Sequence, residues 1–344
     1  MNTLLTMKSV ETQLQSGIVV IGLVVGLFIL SVAGVSLAMN LQMSDVFIHL
    51  FQSTIGSQFG ILSVLRRTTY LLIVSLGLAV AFRSGVWNVG GEGQIIWGGL
   101  VTAAICLTIN LPAPIIILLS ILASLFAGGC WGEIAGFLKA KWNVNEIVST
   151  MMLNFVADAA MIEVAGGPLR DPTVLIAQTR SIPIGLQFPA IVFPLSVTFV
   201  IAIALIPITY LVMEKTVIGY KMRIVGGSST VAAAAGINTS RIVLLAMFLS
   251  GAICALAGSL LVFGNFFRAD ASITGLFGFY AVVSTLLGKS KPQLMLPASL
   301  LLAFIITGAE SLRTLGVPGT FTQAAVGMLF IIVVLQELAT RRMR

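Results

Sequence analysis

Ten apolar runs, parted by short polar or basic stretches, dominate the chain at 17–39, 68–82, 94–109, 115–138, 144–165, 191–213, 242–263, 276–287, 294–308 and 322–338. Most approach the roughly 20 residues that cross a bilayer core of about 30 Å, so the pattern predicts an all-α polytopic membrane protein with about ten transmembrane helices. The first run is longer than the apolar part of a signal peptide and lacks a small-x-small exit, so it reads as a retained helix. Between the first two runs, Val46, Phe47, Leu50 and Phe51 recur at helical spacing and predict a short amphipathic helix at the interface. The longest polar connection, 166–189, carries Pro168, Pro172, Pro183 and Pro189 and reads as an external loop.

Composition strengthens this picture. Of 344 residues, 58% are hydrophobic and only 9% charged, with a mean hydropathy of +1.08. A soluble domain carries about 25% charged residues, so most of this surface faces lipid or other helices. No polar linker parts the runs, and residues 1–344 read as a single transmembrane domain. The net charge of +7 falls mainly in the short loops. With ten spans, Arg66, Arg67, Arg170, Arg180, Arg268 and Arg313 lie on one side and the other 13 of the 19 basic residues on the opposite side. That bias puts both termini in the cytoplasm and reads the charge as topology, with no nucleic-acid partner.

Metal and hydrolytic chemistry have little support. Cys106, Cys130 and Cys254 lie inside apolar runs without a CxxC, and His49 is the only histidine. No metal, cofactor or catalytic residue is expected. Leu287-Gly288-Lys289-Ser290 resembles the tail of a P-loop, but Val283 stands where the required glycine would be. Energy must therefore come from a partner or an ion gradient.

Three stretches carry candidate chemistry. The first, Arg83-Ser-Gly-Val-Trp-Asn-Val-Gly-Gly-Glu-Gly-Gln94, interrupts two apolar runs with Asn88, Glu92 and Gln94 among four glycines. Each interior glycine costs a helix roughly 1 kcal/mol relative to alanine. Irregular polar backbone at membrane depth survives where protein covers it or it lines a wet cavity, so the stretch reads either as a transport pathway or as an ordinary turn. Glu92 itself reads either as a pathway group or as an acceptor for backbone amides. Second, the fifth run carries Glu146, Asn154, Asp158 and Glu163, with Asn154 and Asp158 on one face. The fourth run sets Gly128, Gly132 and Gly136 on one face, a spacing for close helix packing. Third, the cytoplasmic loop 214–241 contains Ser228-Ser-Thr-Val-Ala-Ala-Ala-Ala-Gly236, with a capping serine, strong helix formers and a terminating glycine. These predict a two-turn helix suited to a partner's groove or to the protein's own cytoplasmic surface. A five-and-five division pairs the first break with a second at 265–275 in opposite orientation, the pattern of inverted five-helix repeats around a central site.

Taken together, Asn88-Val-Gly-Gly-Glu-Gly-Gln94, then Asn145-Glu-Ile147 with Met152-Leu-Asn154, then Arg223-Ile-Val-Gly226 with Ala232 and Ala235-Gly-Ile237 resemble the permease subunits of bacterial ABC importers. The resemblance is to the nucleoside and simple-sugar branch, related to ribose and branched-chain amino acid permeases, and covers about 68–338. It implies import of a small polar solute by a non-enzymatic subunit in the cytoplasmic (inner) membrane. Implied partners are ABC ATPase subunits, a second and different permease chain, and an extracytoplasmic solute-binding protein. It also implies a substrate pathway past Asn88, Glu92, Gln94, Asn154 and Asp158. ATPase coupling would fall to Gly219, Arg223, Gly226, Ser228, Ala232, Ala233, Ala235, Gly236 and Ile237. Departures are Ala233 and Ala234 where the family tends to a basic and an aromatic residue, Ser228 where asparagine is common, and Trp87 for phenylalanine. The competing class is an ion-coupled secondary transporter using Glu92, Asp158 or Glu163, which would have no use for a docking loop.

Overall fold

In hydrocarbon a backbone amide finds no partner but another amide, so apolar runs close into helices. The computed structural model describes residues 22–342, with side chains to 335. The start of the first predicted span and Lys8 therefore lie outside the described residues. The helices are α1 (Gly22–Ala38), α2 (Met43–Thr54), α3 (Gln58–Arg83), α4 (Gly91–Thr108), α5 (Ala113–Trp142), α6 (Glu146–Gly166), α7 (Thr198–Tyr210), α8 (Val217–Gly227), α9 (Ser229–Ala234), α10 (Thr239–Leu261), α11 (Phe277–Leu287), α12 (Pro292–Ser311) and α13 (Thr320–Arg342). Wide π-helical turns extend α7 through Leu211–Lys215 and α10 through Val262–Phe266.

Among the described residues, six helical segments are long and apolar enough to cross a membrane: Gln58–Arg83, Ala113–Trp142, Glu146–Gly166, Thr198–Lys215, Thr239–Phe266 and Pro292–Leu315. Shorter apolar helices cover Gly22–Ala38, Phe277–Leu287 and Thr320–Leu335. Among the described residues the architecture is all-α apart from one antiparallel ribbon, Ala190–Val192 with Leu195–Ser196, and two isolated bridges, Arg170 with Thr179 and Gln178 with Asp270. That ribbon shortens the run read as a span from 191. Pro189 and Pro194 withhold amide donors there, so the helix starts only at Thr198. In the other direction, α3 begins ten residues before the run at 68–82, because Arg66 donates to the side-chain oxygen of Asn265 at 2.9 Å and need not end the helix.

Contacts divide the chain into two units, 1–61 with 304–344, and 62–303. In the first, α2 is amphipathic as its spacing predicts, with Val46 and Leu50 buried. His49 Nε2 lies 2.9 Å from Thr314 Oγ1 and 3.1 Å from the Ser311 carbonyl, and Ser53 donates to Ser311.

The second unit is built around α10. Small residues let backbones touch where lipid provides no hydrophobic drive. A Cβ on Gly132 would fall 2.6 Å from the Met247 carbonyl, and one on Gly128 would fall 2.7 Å from that of Gly251. On α10's other flank, Gly258 abuts the Ile95 carbonyl and Gly98 of α4 abuts Ala255. Thr102 and Ser259 add a 2.9 Å hydrogen bond across the α4–α10 seam.

Candidate functional site

The break is shorter than its glycines suggest. α3 ends at Arg83 and α4 starts at Gly91, so only 84–90 is irregular and Glu92, Gly93 and Gln94 form a helical first turn. The glycines here serve close approach. The Cα of Gly278 on α11 would lie 3.1 Å from a Cβ on Gly91, and Trp131 Nε1 3.0 Å from one on Gly93. Gly85 is the exception, with a φ of +77° that starts the turn.

Polar side chains stitch this turn. Asn88 is fully buried; its amide donates to Gln94 Oε1 at 3.1 Å and to Ser250 Oγ at 2.9 Å. Its carbonyl accepts from the Gly90 amide at 2.8 Å and from Gln94 Nε2 at 3.2 Å. Asn154 reaches across from α6, accepting from the Gly93 amide at 2.9 Å and donating to the Val89 carbonyl at 3.1 Å. The Val89 amide donates to Thr150 Oγ1 at 3.3 Å. Buried amides with all partners made hold a backbone in one shape. Asn88→Ala is expected to strand Gly90, Gln94 and Ser250 and to lower stability by about 1–3 kcal/mol, read as the thermal midpoint of the detergent-solubilised protein.

Glu92 is 4% exposed, and its Oε1 accepts from the amides of Gly278 (3.0 Å) and Phe279 (3.3 Å). These open α11, so the carboxylate meets the positive end of a helix that its own side chain does not belong to. Asp158, one turn past Asn154 on α6, is half-buried. Thus Asn88, Gln94 and Asn154 are joined through one network around the turn, whereas Glu92 is held by the opening amides of α11. Sequence reasoning passed over Ser250 and Thr150, although a serine or threonine inside an apolar run is itself a signal of polar contact between helices.

On the loop 214–241, the local signals translate directly. Ser228 caps α9 by accepting from the Val231 amide at 3.3 Å. At the other end Gly236 takes a φ of +75°, the Ile237 amide donates to Ala232 and the Gly236 amide to Ala233, both at 3.0 Å. This reciprocal pair closes a helix C-terminus with a left-handed glycine. Ala232 is buried, whereas Val231, Ala233, Ala234 and Ala235 are exposed. Thr216 caps α8 through the Gly219 amide, and Arg223 donates to the Met213 carbonyl and to Glu214. Among the described residues no group of three or more metal-ligating side chains occurs.

Residues 60–334 match the model of the family described as branched-chain amino acid transport system, permease component. The chain is 30% identical over 326 residues to a glucose ABC transporter permease protein of Haloferax volcanii, covering 91% of this chain and 86% of that one. It is 27% identical over 327 residues to a guanosine ABC transporter permease protein of Bacillus subtilis, covering 92% and 90%. A nucleoside ABC transporter permease protein of Lactococcus lactis is 29% identical over 283 residues, covering 78% and 77%.

Proposed function

Because the chain belongs to this family of ABC transporter permeases, we propose that it is the membrane subunit of an ATP-driven importer that brings a nucleoside or simple sugar into the cytoplasm. The cargoes named for its relatives, glucose, guanosine and nucleosides, support that class. ATP hydrolysis belongs to a separate ABC ATPase. A second, different permease chain completes the channel, and an extracytoplasmic binding protein delivers the solute.

In this reading residues 1–344 form one permease domain in the cytoplasmic membrane, with both termini inside. The six long segments, the three shorter apolar helices and α4 supply ten spans. α4 joins them because only its first turn, with Glu92 and Gln94, is polar. The breaks at 84–90 and 267–276 occupy matched positions of inverted five-helix halves. The substrate pathway follows the break that Asn88, Gln94 and Asn154 hold in one shape, with Glu92 and Asp158 beside it.

The observation that carries this reading is α9. A helix of six residues is marginal alone, yet this one is capped at both ends and exposes small side chains, with Val231 the largest of them. Such a peg suits a groove on the ATPase. Gly219, Arg223, Gly226 and Ser228 set its position, and Ala232, Ala233, Ala235, Gly236 and Ile237 build it. An ion-coupled carrier would have no use for such a peg, and the relatives matched are ABC transporter permeases.

The test is a pull-down of the tagged chain from gently solubilised membranes. The native chain is expected to bring an ATPase and a second permease. Ala233→Asp with Ala235→Asp is expected to lose the ATPase and keep the permease, because two carboxylates would be desolvated in the groove. Purification of the native chain alone would overturn the importer reading.

A further inference from the structure

Glu214 sits at a junction that neither its own loop nor its helix requires. Pro207 lacks an amide donor, and the end of α7 widens into the π turn Leu211–Lys215. The turn leaves the Met213 carbonyl open to the Arg223 guanidinium and points Glu214 between two cations. Glu214 Oε1 lies 2.6 Å from Arg83 Nη2, and Oε2 lies 2.8 Å from Arg223 Nη1. All three side chains are less than 30% exposed. Two glycine seats reinforce the joint. A Cβ on Gly219 would strike the Met213 backbone, and one on Gly226 would fall against the Arg83 carbonyl and 2.9 Å from the Gly85 amide.

The end of α7, the whole of α8 and the end of α3 are thereby tied to one carboxylate. α8 leads through Ser228 directly into α9, and α3 ends at Arg83, one residue before the break that contains Asn88. We propose that Glu214 is the positioning residue that couples movement of the docking helix to the break at 84–90, with Arg83 and Arg223 as its two arms. This rests on the importer reading above. A push on α9 reaches Arg83 through α8 and Glu214. The pairs are partly desolvated, so removing the carboxylate leaves two cations facing one another and opens the joint.

The experiment uses the complex that copurifies with the tagged chain, reconstituted in vesicles, with Val89→Cys as a thiol-labelling reporter in a Cys130→Ser background. If no ATPase copurifies with the native chain, the importer reading falls and the proposal with it. If it does, labelling at position 89 is expected to respond to ATP in the native complex. A native complex that hydrolyses ATP without that response would sink the proposal alone. Glu214→Gln is expected to assemble and to hydrolyse ATP within about twofold of native, while its labelling response falls about tenfold. A Glu214→Gln complex that responds to ATP as the native does would overturn the proposal, as would a parallel fall of hydrolysis and response. Should Glu214→Gln fail to reach the membrane, Arg223→Lys is read in its place. It keeps the charge but loses the fork that bridges Met213 and Glu214. Its response is expected to fall severalfold, and an unchanged response would overturn the proposal.

Discussion

Gly258→Val is expected to remove nearly all folded protein from the membrane. The side chain would enter where α4 already touches α10: even a Cβ meets the Ile95 carbonyl and lies 2.8 Å from the Gly99 amide. These are backbone atoms, so no rotamer change relieves the clash and the helices must part. Parting them also opens the Thr102–Ser259 hydrogen bond and the Gly98–Ala255 contact. Overpacking costs about 1–3 kcal/mol where a core can relax, and this seam lies at or above the upper end. Gly327→Ala is the control, since no atom comes within 4 Å of its Cβ and alanine favours the helix by about 1 kcal/mol. Size-exclusion profiles of the solubilised variants after graded heating check both. A Gly258→Val profile like the native one would show that the seam can widen.

The second large effect is expected at Glu92. Glu92→Leu strands the Gly278 and Phe279 amides in a buried site, at about 1–3 kcal/mol each, and is expected to abolish assembly and transport together. Glu92→Gln retains a carbonyl oxygen that accepts from both amides, and is expected to keep assembly and most transport. Membrane abundance and ATP-driven uptake of guanosine and glucose check the pair. If Glu92→Gln assembles normally but carries nothing, the charge itself serves the pathway and the structural reading fails.

How far the sequence foretold all this depended on how local each signal was. α9 was readable because its capping serine and terminating glycine lie within nine residues. The Gly128–Gly136 stripe was readable from spacing alone. Its counterpart on α10, Gly251 and Ala255, was not, nor was Gly258 on the flank that meets α4, because small residues in a uniformly apolar run carry no contrast. The break was drawn too long at its carboxyl side, since a glycine that admits a neighbouring backbone looks the same in sequence as one that turns the chain. Glu214 was overlooked because Arg83, 131 residues earlier, becomes its partner only in three dimensions. The ribbon at 190–196 was hidden for a further reason: β-branched apolar residues suit both a spanning helix and a strand, and only the two prolines distinguish them.

The glycine seams around α10 also bear on where motion can occur. Helices separated by side chains slide because rotamers reshuffle, but helices seated backbone on backbone have no such slack. α4, α5 and α10 therefore have no slack to slide past one another and are expected to turn as one piece or not at all. The Asn154 bonds to Gly93 and Val89 would carry α6 along with that piece, so the break at 84–90 is expected to shift as a whole and keep its shape.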